Sequence, residues 1–315
     1  MSDHCIKNNP LLVILGPTAS GKTRLAALVA QRLGSEIISA DSRQVYRRMN
    51  LGTGKDYDDY VIDNKQIPVH LIDIREPGEK YTLFDYQKDF LHAWSEIASK
   101  GVIPLVCGGT GLYIEAVIRN YRLLNVPVNT ELRKEWEHKS DQELAEMLAT
   151  ITPLHNKTDI ETRKRLIRAL EIAVYQQKHP DLPGLLPNFD TLVMGVKYER
   201  TTERRRITER LERRMKEGMI GEVEQLLREG ISPDDLMYYG LEYKWITLYL
   251  LGKISYDEMF QKLMIAIHQF AKRQRTYFRR MERNGIKIHW LRGEEGTEKN
   301  MQKVLDLVYQ KWSVR

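Results

Sequence analysis

Eight consecutive residues near the start of the chain have the types and the spacing of a loop that binds phosphate. They read G-P-T-A-S-G-K-T, follow an apolar run of β type at residues 11–15, and precede a helical pattern at residues 24–33. Glycines let backbone N–H groups turn toward phosphate oxygens, and a helix N-terminus adds the positive end of its dipole. The lysine supplies a mobile charge, and the threonine hydroxyl is placed to ligate Mg²⁺. The residues predicted to hold a nucleotide or another diphosphate are Gly16, Pro17, Thr18, Ala19, Ser20, Gly21, Lys22 and Thr23, with Thr23 as the metal ligand.

A carboxylate follows the next apolar run. Residues 36–40 predict a buried strand, and Asp41 comes directly after it. Strand ends at the carboxyl edge of a parallel sheet face the ligand crevice, so we expect Asp41 to face the phosphate loop. There it would serve Mg²⁺ in a hydrolase or kinase, or accept a proton from the nucleophile in a transferase. The alternative is an N-cap on a following helix.

The elements that must position these groups alternate between strand and helix. Residues 84–100 predict a helix, and three further apolar runs read as buried strands: residues 69–74, 102–107 and 192–196. This alternation predicts a parallel, doubly wound α/β sheet flanked by helices. The run at 102–107 ends in Cys107 and two glycines, not in the acid with which NTP-hydrolysing proteins hold Mg²⁺. The class of molecular motors and GTPases is therefore disfavoured.

The pattern changes after about residue 120. From residue 130 to residue 177 the sequence reads as successive helices, and a Pro- and Gly-rich linker follows at residues 179–187. We therefore predict an all-α insertion at 122–188 within an α/β core formed by 8–121 and 189–315.

Composition and charge limit the function classes. The chain has 315 residues, of which 42% are hydrophobic and 29% charged, as in ordinary globular proteins. No apolar run has the length of a membrane span, and no signal-peptide pattern is present. The two cysteines, Cys5 and Cys107, cannot form a disulfide framework, so we expect a protein of the reducing cytoplasm. The net charge of +6 falls entirely after residue 110, which indicates a polyanionic partner.

Two long helices are predicted to carry that charge. Residues 201–217 include six arginines, and residues 256–283 combine Lys272, Arg273, Arg275, Arg279, Arg280 and Arg283 with Phe270, Tyr277 and Phe278. Cations interleaved with aromatic rings suit single-stranded nucleic acid, where phosphates need cations and bases stack. The alternative for each helix is a solvated, ion-paired face.

Taken together, the motifs resemble those of the tRNA dimethylallyltransferases, also called tRNA isopentenyltransferases, of the bacterial type. The stretches that carry the resemblance are G-P-T-A-S-G-K-T (16–23), D-S-R-Q-V-Y (41–46), G-T-G-K (52–55), G-G-T-G-L-Y (108–113), K-R-L-I-R-A-L-E (164–171), I-S-Y-D-E-M (254–259) and Q-F-A-K-R-Q (269–274). The chain departs from the family at residues 242–245, which read E-Y-K-W where bacterial members usually read G-Y-R-Q.

The resemblance implies a P-loop NTPase-like core and transfer of a dimethylallyl group from its diphosphate to N6 of adenosine 37. The acceptors would be tRNAs that read codons beginning with U. The loop would then hold the diphosphate leaving group and not ATP, with Mg²⁺ as cofactor. The helical insertion would grip the anticodon stem–loop, and the partners would be tRNA and dimethylallyl diphosphate, with no membrane. We expect a monomer.

The resemblance also assigns roles to particular side chains. Asp41 would be the general base, Thr110 an active-site threonine, and Arg210 a diphosphate ligand beside Lys22. The residues implied to contact tRNA are Asp41, Ser42, Arg43, Gln44, Arg133, Lys164, Arg165, Leu166, Ile167, Arg168, Gln269, Lys272 and Arg273.

Other function classes share parts of this sequence. A small-molecule kinase would share the loop and fold but would not need the basic second half. A non-catalytic RNA-binding regulator would not need the intact set of Lys22, Thr23 and Asp41. A prenyltransferase acting on free adenine nucleotides would not need a basic helical insertion.

Overall fold

The computed structural model describes residues 9–151 and 162–312. Contacts divide the chain into two compact units, one formed by Met1–Arg119 with Leu186–Arg315 and the other by Asn120–Leu185. Among the described residues, no helix is both long enough and apolar enough to cross a membrane. The cysteine at position 5 lies outside the described residues, whereas Cys107 is buried as a free thiol.

The first unit is built on one six-stranded parallel sheet, in the order β5-β2-β6-β1-β7-β8. Its strands are β1 (Pro10–Leu15), β2 (Ile37–Ala40), β5 (Val69–His70), β6 (Leu105–Gly108), β7 (Asp190–Lys197) and β8 (Ile288–Arg292). A separate two-stranded ribbon consists of β3 (Val61–Ile62) and β4 (Lys65–Gln66). The helices of this unit are α1 (Lys22–Leu33), α2 (Leu83–Ser99), α3 (Gly111–Ile118), α7 (Arg200–Lys216), α8 (Met219–Arg228), α9 (Pro233–Tyr238), α10 (Leu241–Leu250), α11 (Tyr256–Arg283) and α12 (Thr297–Trp312). Of these, α8, α9 and α10 pack with α7 and α11 in a cluster of their own. The predicted P-loop NTPase-like α/β class is confirmed.

Both faces of the sheet are covered, as its sequence pattern requires. Successive side chains of a strand point to opposite faces, so Leu12 and Ile14 pack in a cluster with α1 and α12, while Leu11, Val13 and Leu15 pack in a second cluster with α2 and α3. All five side chains are buried completely or to within 1%. Because both faces of these strands are buried, apolar residues are expected at consecutive positions along them.

Two strand bounds differ from the sequence prediction. The run at 69–74 forms a strand only at Val69–His70, because Leu71 and Asp73 have positive φ angles of 64° and 56°, which are incompatible with a strand. The run at 102–107 begins as a strand only at Leu105, after Pro104, which has no N–H to donate to a ladder. By contrast, α11 has the predicted bounds, Tyr256–Arg283.

The register of the central strands aligns their carboxyl ends. Leu15 of β1 lies opposite Gly108 of β6, and Ala40 of β2 lies opposite the same glycine. The segments that follow these strands therefore leave the sheet side by side at one edge. They begin at Gly16, Asp41 and Gly109.

In the described part of the second unit, the regular secondary structure is helical and the segments between the helices are irregular. It contains α4 (Thr130–Trp136), α5 (Asp141–Ile151) and α6 (Arg163–Lys178). Trp136, Leu144, Leu148, Leu166 and Leu170 form its apolar cluster. Asn129 and Thr162 cap α4 and α6 by accepting hydrogen bonds from first-turn N–H groups.

We predict that Gly108→Ala lowers the free energy of unfolding by about 3 kcal/mol, the upper part of the usual range for overpacking. A Cβ at this position would lie 2.2 Å from the carbonyl oxygen of Ala40, so the aligned edge would have to open. Urea unfolding of the purified variant measures the change.

The matched control is Gly221→Ala in α8. A Cβ there meets nothing within 4 Å, so alanine should stabilise the helix by about 0.5 kcal/mol. Equal effects of the two substitutions would contradict the register described for β2 and β6.

Candidate active site

The phosphate loop closes tightly between β1 and α1. A Cβ on Gly16 would lie 2.6 Å from the Ser20 hydroxyl oxygen and 2.9 Å from the carbonyl oxygen of Val196, so only glycine fits. Gly21 has φ +74° and caps α1, which starts at Lys22. The N–H groups of the first helical turn lack helical partners, and the positive end of the helix dipole lies at the loop. The loop therefore offers donors to an anion.

Two cations lie at this loop without a carboxylate partner. Lys22 and Arg210 are both partly buried, and neither forms an ion pair within 4 Å among the described residues. The Lys22 ammonium is 3.4 Å from the carbonyl oxygen of Pro17, and the Arg210 guanidinium donates to the Thr18 hydroxyl. Burial lowers the pKa of both groups, and the nearby Asp56 carboxylate, which raises both values, offsets this only in part. Partly buried cations without an ion-pair partner favour the binding of an anion.

Asp41 enters the same cavity from the end of β2. The cavity has a volume of about 970 Å³, and its lining includes the loop from Thr18 to Thr23, Asp41 and Arg210. The Asp41 carboxylate accepts a hydrogen bond from the backbone N–H of Arg43 at 3.0 Å. This is a turn and not a helix cap, so the alternative of an N-cap is excluded. The carboxylate is thus held in the cavity that contains the two cations.

Thr110 supports this turn from the neighbouring strand. Its hydroxyl oxygen accepts from the backbone N–H of Ser42 at 3.0 Å and lies 3.4 Å from the Ser42 hydroxyl. Thr110 is not among the residues that line the cavity. The geometry therefore makes it a positioning residue for the Asp41 turn.

Arg43 is held by a carboxylate from α10. Its guanidinium lies 2.7 Å from Glu242 and 5.7 Å from the centre of the Tyr243 ring. Burial lowers the pKa of Arg43, but the charge and hydrogen bond of Glu242, together with Tyr243 and Asp41, outweigh burial and leave the pKa above its usual value. Gln44 is also tied down, because its side-chain amide donates to the carbonyl of Gly54 at 2.9 Å. The departure from the family pattern at position 242 thus supplies a buried partner for Arg43.

Glu222 is a functional candidate that the sequence reasoning missed. Its carboxylate accepts from the backbone N–H groups of Asn50, Leu51 and Gly52 at 2.7–3.0 Å, and from the Tyr243 hydroxyl at 2.7 Å. These contacts fix the G-T-G-K segment that forms one wall of the cavity. A single acid on an amphipathic helix gave no local signal of this role.

Gln274 is a second residue whose role the sequence did not reveal. Its side-chain oxygen accepts from the Thr18 backbone N–H at 2.8 Å, and its side-chain nitrogen donates to the Gly109 carbonyl at 3.0 Å. A Cβ on Gly109 would lie 2.4 Å from that nitrogen. The buried amide therefore joins α11 to the phosphate loop and to the end of β6.

The other residues expected to contact RNA on α11 are exposed. Gln269, Lys272 and Arg273 are on the surface and line an open groove of about 500 Å³ together with Tyr277. Their side chains are free to meet a polyanion.

In the second unit the expected residues divide into two groups. Lys164 and Arg165 are exposed, Ile167 is half-buried, and Leu166 is buried in the apolar cluster. Arg133 and Arg168 are part-exposed and share the Glu171 carboxylate, at 2.8 Å and 3.2 Å. Only 1% of the Glu171 side chain is exposed, so these two arginines also neutralise a buried charge. Contacts of this unit with RNA stay a prediction.

The donor set at the loop fits Mg²⁺. Thr23 lines the cavity in the first turn of α1, and a hydroxyl together with diphosphate oxygens and water gives the hard oxygen ligands that Mg²⁺ prefers. A second group of possible ligands, Glu36, His70 and Glu96, lies on the surface of the core. The Lys100 ammonium already lies 2.7 Å from Glu36 and 3.2 Å from Glu96, so this group is an ion-pair cluster.

The fold and the loop together define a class, the α/β proteins that bind phosphate at a P-loop. A family model described as IPP transferase matches residues 44–281, and one described as isopentenyl transferase matches residues 9–73. The tRNA dimethylallyltransferase 2 of Bacteroides fragilis is 57% identical over 281 residues, which cover 89% of this chain and 92% of that protein. The tRNA dimethylallyltransferase 2 of Phocaeicola vulgatus is 53% identical over 301 residues, 96% of this chain and 98% of that protein.

A solved structure agrees with these relatives. The full-length tRNA isopentenylpyrophosphate transferase of Bacillus halodurans superimposes with a TM-score of 0.71 at 31% identity, covering 97% of each chain. This chain therefore belongs to the IPP transferase family, that of the tRNA dimethylallyltransferases, and is a prenyltransferase.

We predict that Arg210→Gln weakens pyrophosphate binding by at least about tenfold, because it removes a charge-assisted contact. The same change should raise the melting temperature of the ligand-free protein, since it removes an uncompensated buried cation. Isothermal titration with pyrophosphate and thermal melting measure the two effects.

Arg205→Gln is the control for Arg210. Arg205 lies on the same helix, but 70% of its side chain is exposed and it pairs with Glu209. The Arg205→Gln substitution should change neither the pyrophosphate affinity nor the melting temperature. A lower melting temperature for ligand-free Arg210→Gln than for the ligand-free wild-type protein would contradict the inference that the Arg210 charge destabilises the empty site.

We predict that Gln274→Ala weakens pyrophosphate binding and lowers the free energy of unfolding by about 2–6 kcal/mol. The Thr18 N–H and the Gly109 carbonyl would each lose a buried partner, at about 1–3 kcal/mol apiece. Gln261→Ala, at an exposed site of the same helix, is the control. Unchanged stability and affinity would show that the amide bridge does not position the loop.

Proposed function

We propose that the protein transfers a dimethylallyl group from dimethylallyl diphosphate to N6 of adenosine 37 in tRNAs that read codons beginning with U. The products are N6-(dimethylallyl)adenosine and diphosphate. The observation that carries the proposal is the shared cavity, where Lys22 and Arg210 lie at the phosphate loop without an ion-pair partner within 4 Å among the described residues, and the Asp41 carboxylate lines the same space.

In the proposed reaction the cations stabilise the leaving group. As the bond between the allylic carbon and the diphosphate oxygen breaks, negative charge grows on the diphosphate. Lys22, Arg210 and the N–H groups of the loop face that charge in a partly desolvated site, where electrostatic stabilisation is most effective. An allylic diphosphate ionises readily once its leaving group is neutralised, so positioning and charge supply most of the rate.

Asp41 is proposed as the base for the incoming nucleophile. The exocyclic amine of adenine is a weak nucleophile, so it must be placed close to the allylic carbon and must lose a proton as its N–C bond forms. The Asp41 carboxylate, held by the Arg43 N–H, accepts that proton in our proposal. Thr110 keeps the turn in place through Ser42.

Mg²⁺ is proposed as the cofactor. Thr23 and the diphosphate oxygens would hold it, and its chemistry would be to neutralise charge on the leaving group.

The proposed acceptor is the anticodon stem–loop of tRNA. Its support is the exposed Lys272 and Arg273 on α11, together with the exposed Lys164 and Arg165 of the helical unit. The relatives named tRNA dimethylallyltransferase support the same acceptor and the dimethylallyl donor. We further propose that the protein acts as a monomer in the cytoplasm.

The test is incubation of the protein with labelled dimethylallyl diphosphate and an anticodon stem–loop RNA, followed by mapping of the label on the RNA. Label on N6 of adenosine 37 is the expected result. Consumption of ATP without prenyl transfer would favour the kinase alternative.

Asp41→Asn is predicted to lower turnover by at least about a hundredfold, the usual scale for a lost general base. The amide oxygen can still accept from the Arg43 N–H, so RNA affinity should be unchanged. Asp58→Asn is the control, because Asp58 is an exposed acid at the rim of the same cavity. Near-normal turnover of Asp41→Asn would remove the base from the mechanism.

A further inference from the structure

A second cavity lies outside the phosphate site. It has a volume of about 580 Å³ and is formed by the ends of β7 and β8, the start of α7 and the middle of α11. Its lining shares only Tyr198 with the phosphate cavity. All of these elements belong to the first unit.

The lining of this cavity is strongly cationic. Its basic residues are Lys197, Arg200, Lys272, Arg275, Arg279 and Arg292. Three carboxylates also line it, but Glu203 pairs with Arg275, and Glu294 accepts from the backbone N–H of Glu199 at 2.7 Å. Within residues 9–151 and 162–312, the five basic residues other than Arg275 form no ion pair within 4 Å, and all five are exposed. The cavity lining therefore has an excess of positive charge, with six basic side chains against three carboxylates.

An aromatic ring is fixed among these cations. The Trp290 indole N–H donates to Glu282 at 2.8 Å, and the Lys197 ammonium lies 5.4 Å from the centre of the ring. The Lys197 ammonium is held over the face of the indole by a cation–π interaction, and from there it can bind a phosphate.

The cavity adjoins the groove on α11. Lys272 and Thr276 line both. Basic side chains thus follow one path across the helix, from Arg283 and Arg273 in the groove through Lys272 to Arg279 at the ends of β7 and β8.

We propose that this cavity binds the phosphodiester backbone of the RNA substrate and extends the RNA path beyond α11. The inference rests on the proposed function for the identity of the RNA. Exposed, flexible cations in an open cavity suit a chain of phosphates, whose binding releases counterions, better than a small anion, which is usually enclosed by a few fixed donors. Such contacts add affinity without reading sequence.

The test compares binding of a tRNA transcript by the wild-type protein and by Arg279→Gln/Arg292→Gln, over a series of salt concentrations. Loss of two phosphate contacts should weaken binding by at least about tenfold at about 0.1 M salt. It should also reduce the slope of log K against log salt by about 1.4 to 1.8. Arg205→Gln/Arg228→Gln is the matched control, because both of these arginines are exposed and pair with a glutamate four residues away on their own helices.

The outcomes separate the alternatives. A double variant with wild-type affinity and slope overturns the proposal. A variant that keeps RNA affinity but loses affinity for AMP, measured by titration, shows a small-anion site and also overturns it. A weakened, less salt-dependent variant supports it. Prenyl transfer is assayed separately on the wild-type protein. If the wild-type protein does not transfer the prenyl group but the double variant still binds RNA more weakly, the proposed reaction is rejected and the proposed RNA-binding cavity is retained.

Discussion

Lys22 and Arg210 hold two positive charges at one loop, and neither has an ion-pair partner within 4 Å among the described residues. The lowered pKa values of both groups show that burial opposes their charge. Such an arrangement costs free energy in the ligand-free protein and is offset when an anion enters. The free N–H groups at the start of α1 add to the same preference. The proposed diphosphate would meet both preferences, and in the proposed reaction charge would grow on that group as the allylic bond breaks.

The loop could not hold this arrangement without side chains from distant helices. Gln274 joins Thr18 to Gly109, Glu222 fixes the segment from Asn50 to Gly52, and Glu242 holds Arg43. None of these side chains needs to touch a reacting atom. Each satisfies buried polar groups that would otherwise leave the cavity wall poorly defined. The helices after residue 200 therefore complete the phosphate site as well as presenting basic surface.

The positive charge of the chain has two distinct physical uses. Arg133 and Arg168 compensate the buried Glu171, and Arg275 pairs with the buried Glu203. Lys272 and Arg273 are instead exposed. The first kind of cation stabilises the fold, and only the second kind is available to a polyanion at long range. Net charge therefore overstates the surface available to a polyanion, and position in the fold decides which arginines belong to that surface.

The sequence alone determined the phosphate loop, the parallel α/β sheet and the bounds of α11, because glycine spacing and apolar periodicity are local properties of the chain. It also placed Asp41 beside the loop, since strand ends at one edge of a parallel sheet must meet. The strand predicted at 69–74 was too long, because the pattern of apolar residues does not reveal the positive φ angles of Leu71 and Asp73. The contacts of Gln274, Glu222 and Glu242 could not be predicted from the sequence for a related reason. Thr18 and Gln274 are 256 positions apart, and Arg43 and Glu242 are 199 apart. Only the tertiary structure brings such pairs together, because a buried hydrogen bond is specified by where two distant elements pack and not by the residues that surround either partner in the chain.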